Sequence, residues 1–243
     1  MGRAHEVRKA SMAKTAAMKA KVYSKFGKEI YLQAKSGGPD PDANLALRRL
    51  IDKAKKAQVP TDVIKRAIDK VKSGANENYE SLTYEGFGPG NSTVIVECLT
   101  DNINRTLSQV RPAFAKSKSK LGASGSVSYL YNTFSIVAFK GVDEEATLEA
   151  LILADVEPTD IETVEDGVVE VTGEPQDLYK IKTAIEEAYP TAEFIIDEIT
   201  TEPQDYTTLE GEEMELFERL MSLLNACDDV DTVYHNVSNY EES

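Results

Sequence analysis

The sequence predicts an α+β fold of three domains: an N-terminal three-helix domain, a βαβ-type α+β domain completed by the C-terminus, and an inserted ferredoxin-like βαββαβ domain. Three observations predict it. Helical patterns bounded by proline and glycine fill the first third of the chain, a β-α-β-β-α-β order occupies residues 134–201, and one helix and one strand remain at the C-terminus. We place the domains at residues 1–78, at 79–132 together with 203–243, and at 133–202.

Most of the positive charge lies in the first of these domains. Residues 3–72 carry 18 Lys and Arg against 7 Asp and Glu, a net charge of +11. The whole protein of 243 residues has a net charge of −15, which leaves −26 for residues 73–243. A basic block on an otherwise acidic chain is typical of a segment that binds a polyanion. We therefore expect the N-terminal domain to bind nucleic acid.

The N-terminal domain is predicted to contain three amphipathic helices. The first covers residues 6–35, where Gly27 is the only glycine and marks a position at which the helix can kink. The second is predicted to be capped by Asp40, and the third follows Pro60 and ends at Gly74. All three patterns place apolar residues on one face and cations on the other.

Cations dominate the polar faces of these helices. A solvated helix face normally mixes both signs of charge, whereas here basic residues outnumber acidic ones by more than two to one. We predict that phosphates are bound by Lys14, Lys21, Lys25, Lys28, Arg48, Arg49, Lys53, Lys55, Lys56, Lys65 and Arg66. No cluster of Asn, Gln and Arg marks a base-reading helix, so the pattern favours contact with the phosphate backbone over sequence recognition.

The α+β domain is predicted to start with a dense turn at residues 84–90, followed by a strand at 93–99. The glycines precede the strand, so the turn does not have the context of a nucleotide-binding loop. A helix capped by Asp101-Asn102 comes next, and Pro112 is expected to kink or weaken it. A further strand is predicted at 127–131.

A second group of cations follows in this helix and its exit, and we expect it to extend the basic surface of the N-terminal domain. Its members are Arg105, Arg111, Lys116, Lys118 and Lys120, of which Arg105, Lys116 and Lys120 share one helical sector. All of them except Arg111 are predicted to bind nucleic acid. The Ser/Gly loop at 121–126 has two interpretations: a phosphate cradle built from backbone N–H groups, or a flexible turn.

The inserted domain is predicted from its alternating patterns. The strands are placed at 134–139, 160–164, 168–172 and 193–199, and the helices at 144–154 and 175–189. Asp166-Gly167 is a strong signal for a hairpin turn. Cations are scarce in this acidic segment, so nucleic acid would be repelled by it. The C-terminal helix at 210–226 and strand at 231–237 cannot form a domain alone and are predicted to complete the sheet of the second domain.

The sequence carries no signature of a catalytic, metal or cofactor site. Cys98, Cys227, His5 and His235 do not have the spacing of metal ligands, and no nucleophile stands beside a base. The acidic residues at 210–218 are explained by a solvated helix N-terminus. No run of 18 apolar residues and no secretory signal is present, so we expect a cytoplasmic protein without a membrane partner.

Five short motifs occur in the order found in a known family. They are FGKEI at 26–30, DPDAN at 40–44, YEGFGPG at 84–90, DNINRT at 101–106 and GSVSY at 125–129. Through these motifs the chain resembles the YebC/PmpR family along essentially its whole length, and its YeeN-like branch in particular.

The resemblance implies both a fold and a function. It implies three domains around a cleft, with the third domain inserted in the second. It implies a DNA-binding transcriptional regulator, because family members are described as probable transcriptional regulators. The alternative that it implies is a ribosome-associated translation factor that binds ribosomal RNA and relieves stalled translation. The resemblance supplies no catalytic residue.

Overall fold

The computed structural model describes the backbone of residues 3–241 and the side chains of residues 19–241. The helices of this region are α1 (Arg3–Gly37), α2 (Leu45–Lys56), α3 (Thr61–Lys72), α4 (Ile103–Lys116), α5 (Glu144–Leu153), α6 (Leu178–Ala188) and α7 (Gly211–Asn225). The strands are β1 (Glu80–Phe87), β2 (Thr93–Thr100), β3 (Lys120–Leu121), β4 (Tyr131–Lys140), β5 (Asp160–Val164), β6 (Val168–Gly173), β7 (Glu193–Pro203) and β8 (Val230–His235). The predicted α+β class is confirmed.

The chain divides into two compact units. The first contains residues 1–124 and 209–233, and the second contains residues 125–208 and 234–243. The first unit holds the three N-terminal helices together with most of one four-stranded sheet, and the second unit holds the other four-stranded sheet.

The three N-terminal helices pack around one apolar core, because each of them has an apolar stripe at helical spacing. The buried residues of this core include Phe26, Ile30, Tyr31, Leu47, Ile51, Ile64 and Ile68. Helix α1 continues through Gly27 as one helix of 35 residues. The polar faces of α2 and α3 stay exposed, and most of their cations lie there.

The start of α2 differs from the prediction, because Asn44 rather than Asp40 caps this helix. The Asn44 Oδ1 atom accepts a hydrogen bond of 3.0 Å from the backbone N–H of Leu47, and its Nδ2 atom donates to the carbonyls of Gln33 and Gly38. A side-chain amide has donors as well as an acceptor, whereas an ionised carboxylate only accepts. Asn44 therefore satisfies the end of α1 and the start of α2 at once.

The residues predicted to form a dense turn at 84–90 belong largely to strand β1, which pairs antiparallel with β2. The strand contains Gly86 because the ring of Phe114 lies against its backbone. A Cβ atom at this position would be 2.3 Å from Phe114 Cε1 and 2.8 Å from the Lys120 carbonyl oxygen. The glycine therefore marks a close approach within a strand and not the end of one.

Pro112 is exposed and lies inside α4, which runs from Ile103 to Lys116. One local prediction between α4 and β4 is wrong. The strand predicted at 127–131 is a 3-10 turn at Ser128–Leu130, and β4 begins only at Tyr131.

The second sheet has the strand order β5-β6-β4-β7, in which every neighbouring pair is antiparallel. Helices α5 and α6 pack against it through a core that includes Val137, Phe139, Leu151, Val171 and Ile185. The two central strands are the first and third of the unit, which is the ferredoxin-like plan. Asp166 and Gly167 join β5 to β6 with φ angles of +58° and +68°.

The first sheet has the strand order β3-β1-β2-β8. Strand β8 lies beside β2, so the C-terminal segment completes the sheet that begins with β1, as predicted. The connection from α7 to β8 places Asp229 at the end of β2, where its carbonyl accepts a hydrogen bond of 2.9 Å from the N–H of Leu99. This position of Asp229 is important for the candidate site.

Candidate nucleic-acid interface

The first group of predicted site residues lies on the polar faces of α2 and α3. It consists of Arg48, Arg49, Lys53, Lys55, Lys56, Lys65 and Arg66, which we call the α2–α3 cations. All are exposed except Arg49, which is partly buried. They alternate along the two helices with buried residues such as Leu47, Ile51 and Ile64, so they lie on the outside of the bundle.

Two of the α2–α3 cations, Arg48 and Lys55, form ion pairs that are local and solvated. Arg48 Nη2 lies 3.0 Å from Asp42 Oδ1, and Lys55 Nζ lies 3.3 Å from Asp52 Oδ1. The side chains of Asp42 and Asp52 are 92% and 60% exposed. Pairs of this kind contribute about 0–1 kcal/mol. A phosphate can therefore replace these carboxylates at little cost.

The second group lies on α1 and makes contacts within the protein. Lys21, Lys25 and Lys28, which we call the clasp lysines, follow one another at i, i+4 and i+7 and so share one face of the helix. Lys21 Nζ donates to the carbonyl of Asn225 at 3.0 Å, and Lys25 Nζ lies 3.1 Å from Asp231 Oδ1. This face of α1 therefore contacts the end of α7 and the start of β8.

Lys28 makes the most buried contacts of the three clasp lysines. Its Nζ atom donates to the Leu99 carbonyl at 2.9 Å and lies 3.1 Å from Asp229 Oδ1. The side chains of Lys28 and Asp229 are only 14% and 2% exposed. Lys28 thus supplies positive charge to a carboxylate that is buried in the protein.

Arg105 of α4 binds the same carboxylate from another side. Its Nε atom lies 2.9 Å from Asp229 Oδ2, and its Nη2 atom lies 2.8 Å from Oδ1. The hydroxyl of Thr106 also donates to Oδ2, at 3.1 Å. Burial on its own would raise the pKa of Asp229, but the hydrogen bonds from Arg105, Lys28 and Thr106 outweigh it and hold this pKa below its ordinary value. Asp229 is therefore an ionised hub between α1, α4 and β8.

The remaining cations of the prediction lie at the exit of α4. Lys116 and Lys120 are exposed, and Lys118 Nζ lies 2.6 Å from Glu212 Oε1 in a pair that is about 70% exposed on both sides. Lys120 belongs to β3, so the helical sector predicted for Arg105, Lys116 and Lys120 covers only the first two. The backbone N–H of Gly122, in the loop that follows, donates to the Glu85 carbonyl at 2.8 Å. The side chain of Lys14 lies outside the described residues.

The lysines at 180 and 182 of the ferredoxin-like domain each have an acidic partner within that domain. Lys180 Nζ lies 2.6 Å from Asp177 Oδ1, and Lys182 is paired with Asp197. Acidic residues repel one another on the sheet: burial and then the charges of Glu162 and Glu202 raise the pKa of Glu170. The charge asymmetry of the sequence is thus kept in the folded chain.

Neither a metal site nor a membrane span is found in the described part of the chain. Among residues 19–241, no group of three or more His, Cys, Asp and Glu side chains is arranged to hold a metal ion. No helix over the described range combines the length and the apolar character that a membrane span requires.

Sequence reasoning did not identify Asp229, although it is the residue on which two predicted cations converge. Arg105 and Asp229 are 124 positions apart, so no local pattern connects them. The i, i+4, i+7 spacing of the clasp lysines was a usable signal. The regular spacing indicates that the three lysines contact a single surface, and in this protein that surface is formed by residues 225–231 of the same chain.

The fold and this charge distribution define a class of protein in which a basic helical domain is joined to two acidic α+β domains. Two family models match the chain: the TACO1/YebC protein N-terminal domain over residues 3–74, and the TACO1/YebC second and third domain over residues 79–237. The chain belongs to the TACO1/YebC family, and the resemblance to the YebC/PmpR family is confirmed.

Similar proteins are found in several other organisms. A relative from Alteromonas mediterranea is 56% identical and one from Vibrio cholerae is 54% identical, each over 97% of this chain and 98% of the relative. Both are named "Probable transcriptional regulatory protein". The crystal structure of a conserved hypothetical protein from Aquifex aeolicus is 35% identical, with a TM-score of 0.71, and covers 92% of this chain and 91% of its own.

Proposed function

We propose that this protein is a cytoplasmic nucleic-acid-binding regulator of gene expression, and specifically a DNA-binding transcriptional regulator. The observation that carries the proposal is the set of α2–α3 cations, which lie on a segment of net charge +11 attached to a remainder of net charge −26. The names of the relatives from Alteromonas and Vibrio support a role in regulation. We infer that the protein acts by binding and not by catalysis.

The proposed interface consists of the α2–α3 cations together with Lys116, Lys118 and Lys120. Long cationic side chains on helices bind phosphate oxygens and release condensed counterions, which gives affinity without sequence recognition. The clasp lysines and Arg105 are left out of this interface. A phosphate bound by Lys28 or Arg105 would have to take a cation from Asp229, which is buried.

A second candidate is binding of ribosomal RNA by a ribosome-associated translation factor. It is favoured by the composition of α3, where Lys65 and Arg66 are not accompanied by any Asn or Gln that would pair with base edges. Structured RNA is recognised mainly through its shape and backbone, and this mode needs no such residues.

The experiment that tests the proposal compares the two polymers with the full-length protein. Binding of fluorescently labelled duplex DNA and of ribosomal RNA fragments is measured by anisotropy across a salt series, together with footprinting on both. A defined DNA footprint at salt-dependent affinity supports the transcriptional role, and protection of ribosomal RNA without a DNA footprint supports the second candidate. Failure to bind either polymer at low salt would refute both.

A further inference from the structure

A cavity lies between α1 and α3, inside the N-terminal domain. Its volume is about 310 Å³, and the segment that links α3 to β1 closes one side of it. Gly27, Val63 and Ala67 give it an apolar wall. The volume is at the lower end of the range of about 300–1,000 Å³ that is typical of ligand pockets.

Three tyrosines line this cavity, Tyr23, Tyr31 and Tyr79, and the ring of Tyr31 contacts that of Tyr79. Tyr31 is buried, and its hydroxyl donates to the Ala75 carbonyl at 2.7 Å and accepts from the N–H of Glu77 at 2.9 Å. The ring of Tyr79 meets the ring of Tyr31 edge to face, with centroids 5.7 Å apart. Tyr23 and Tyr79 are only partly buried. The ring of Tyr79 is therefore held in place by Tyr31, and the rings of Tyr23 and Tyr79 both reach the cavity.

Charged groups complete the lining. Lys28, Arg66 and Lys70 supply cations, and Glu77 supplies one carboxylate. Glu77 accepts hydrogen bonds of 2.7 Å from Lys70 Nζ and 2.8 Å from the Tyr79 hydroxyl. The hydrogen bond from Lys70 is the main cause that lowers the pKa of Glu77, so the group is an acceptor at neutral pH. A carboxylate has about four lone-pair sites, and two are used here.

We propose that this cavity binds one unstacked nucleotide of a single-stranded nucleic acid. The base lies against the apolar wall and the tyrosine rings, its exocyclic amine donates to Glu77, and its phosphate is bound by Arg66 and Lys70. Aromatic rings beside cations are the usual means of holding unstacked bases. A carboxylate in such a place selects bases that carry an amino group. The inference rests on the proposed function, because it adds to the nucleic-acid-binding domain a site for a nucleotide that is not base-paired.

Gly27 offers a direct test of the cavity. A Cβ atom at this position has one neighbour within 4 Å, Val63 Cγ1 at 3.7 Å, so Gly27→Ala fits and serves as the control. Gly27→Leu places a larger side chain in the cavity. We expect Gly27→Leu to bind a single-stranded pyrimidine decamer roughly tenfold more weakly than the wild type, which corresponds to the loss of one base stack. Its affinity for duplex and the salt slope of its binding stay unchanged, because no charge is altered.

A second variant keeps the proposal falsifiable if leucine at position 27 disturbs the packing of α1 against α3. Tyr23→Leu removes a stacking ring but keeps apolar bulk, and it is expected to lose a similar factor in single-strand binding. Wild-type affinity for single strands in both folded variants would overturn the proposal. If the wild type binds both duplex and single strands and neither variant weakens this binding, the cavity proposal fails but the proposed function still stands. A wild-type protein that binds neither polymer refutes the proposed function itself.

The role of Glu77 is tested by the choice of base. Oligo(C) and oligo(U) differ in the amino group that Glu77 would accept from, so the wild type should bind oligo(C) about tenfold more tightly. In the variant Glu77→Gln the side-chain amide can both donate and accept a hydrogen bond, so the preference for oligo(C) over oligo(U) should disappear. Equal binding of the two oligomers by the wild type would overturn the assignment. Competition between oligo(C) and cytidine monophosphate shows whether the cavity takes a free nucleotide or a nucleotide of a strand. If cytidine monophosphate displaces oligo(C) at an equal concentration of nucleotide, the ligand is a free nucleotide. If it displaces oligo(C) only in large excess, the ligand is a strand.

Discussion

Arg105 and Asp229 form a two-pronged ion pair across 124 positions of sequence, with Nε 2.9 Å from Oδ2 and Nη2 2.8 Å from Oδ1. Lys28 reaches the same carboxylate at 3.1 Å. One buried aspartate therefore connects the long N-terminal helix, the helix after β2 and the start of the last strand. This arrangement holds the basic helices on the sheet of the first unit.

We predict that Asp229→Asn destabilises the first unit by about 3 kcal/mol, since Lys28, whose side chain is only 14% exposed, would lose its carboxylate partner. The measurement is urea unfolding followed by circular dichroism, in which the transition midpoint should fall. Asp231→Asn is the matched control. Its partner Lys25 is 35% exposed and Asp231 is 21% exposed, so its loss should cost about 1 kcal/mol or less. Equal effects of the two variants would contradict a special role for Asp229.

The stabilisation by Asp229 is predicted to depend on pH. The pKa of Asp229 is lower in the folded chain than its ordinary value. A carboxyl group of this kind stabilises the folded state above its unfolded pKa of about 4, and the stabilisation is lost as the pH falls through the folded pKa. The difference in unfolding midpoint between the wild type and Asp229→Asn should thus be largest near neutral pH and shrink below about pH 4. A difference that is constant down to about pH 3 would argue against an ionised hub.

Much of the fold was predictable from the sequence because it rests on local periodicity. The bounds of β5 were predicted to the residue, and the hairpin at Asp166-Gly167 follows from the residues that tolerate a positive φ. The errors arose where tertiary contacts decide the local structure. Gly86 looked like a turn residue, but it is required in a strand because Phe114 lies over it.

The candidate site was predictable only in part, since charge alone does not distinguish a cation that meets solvent from one that meets a distant carboxylate. Lys56 and Lys65 lie on exposed helix faces, as their pattern indicated. Lys28 and Arg105 followed the same pattern but meet Asp229, far away in the sequence. That the α2–α3 cations bind nucleic acid remains a prediction.

Gly86→Ala is predicted to destabilise the protein by roughly 2–4 kcal/mol. The new Cβ atom would meet the ring of Phe114 and the rigid carbonyl of Lys120 at less than 3 Å, and overpacking of this kind typically costs about 1–3 kcal/mol or more. Thermal unfolding is the measurement. Gly27→Ala is the control, since its Cβ atom makes only an ordinary contact and a helix gains about 1 kcal/mol from this change. A Gly86→Ala protein as stable as the wild type would show that the approach of Phe114 is not constrained.

Neutralising the α2–α3 cations is predicted to weaken binding to nucleic acid and to flatten its dependence on salt. In the variant Lys56→Gln/Lys65→Gln, the logarithmic salt slope should fall by ~0.9 for each duplex phosphate that is no longer neutralised, or by ~0.7 on a single strand, because fewer counterions are released. Lys180→Gln is the control: it removes the same kind of charge from an exposed lysine of the ferredoxin-like domain, whose side chain is 66% exposed. Its binding should be equal to that of the wild type or slightly weaker, with an unchanged slope. If the two variants changed the slope equally, the α2–α3 cations would be contributing only to the net charge of the protein, and the interface would have to be sought elsewhere.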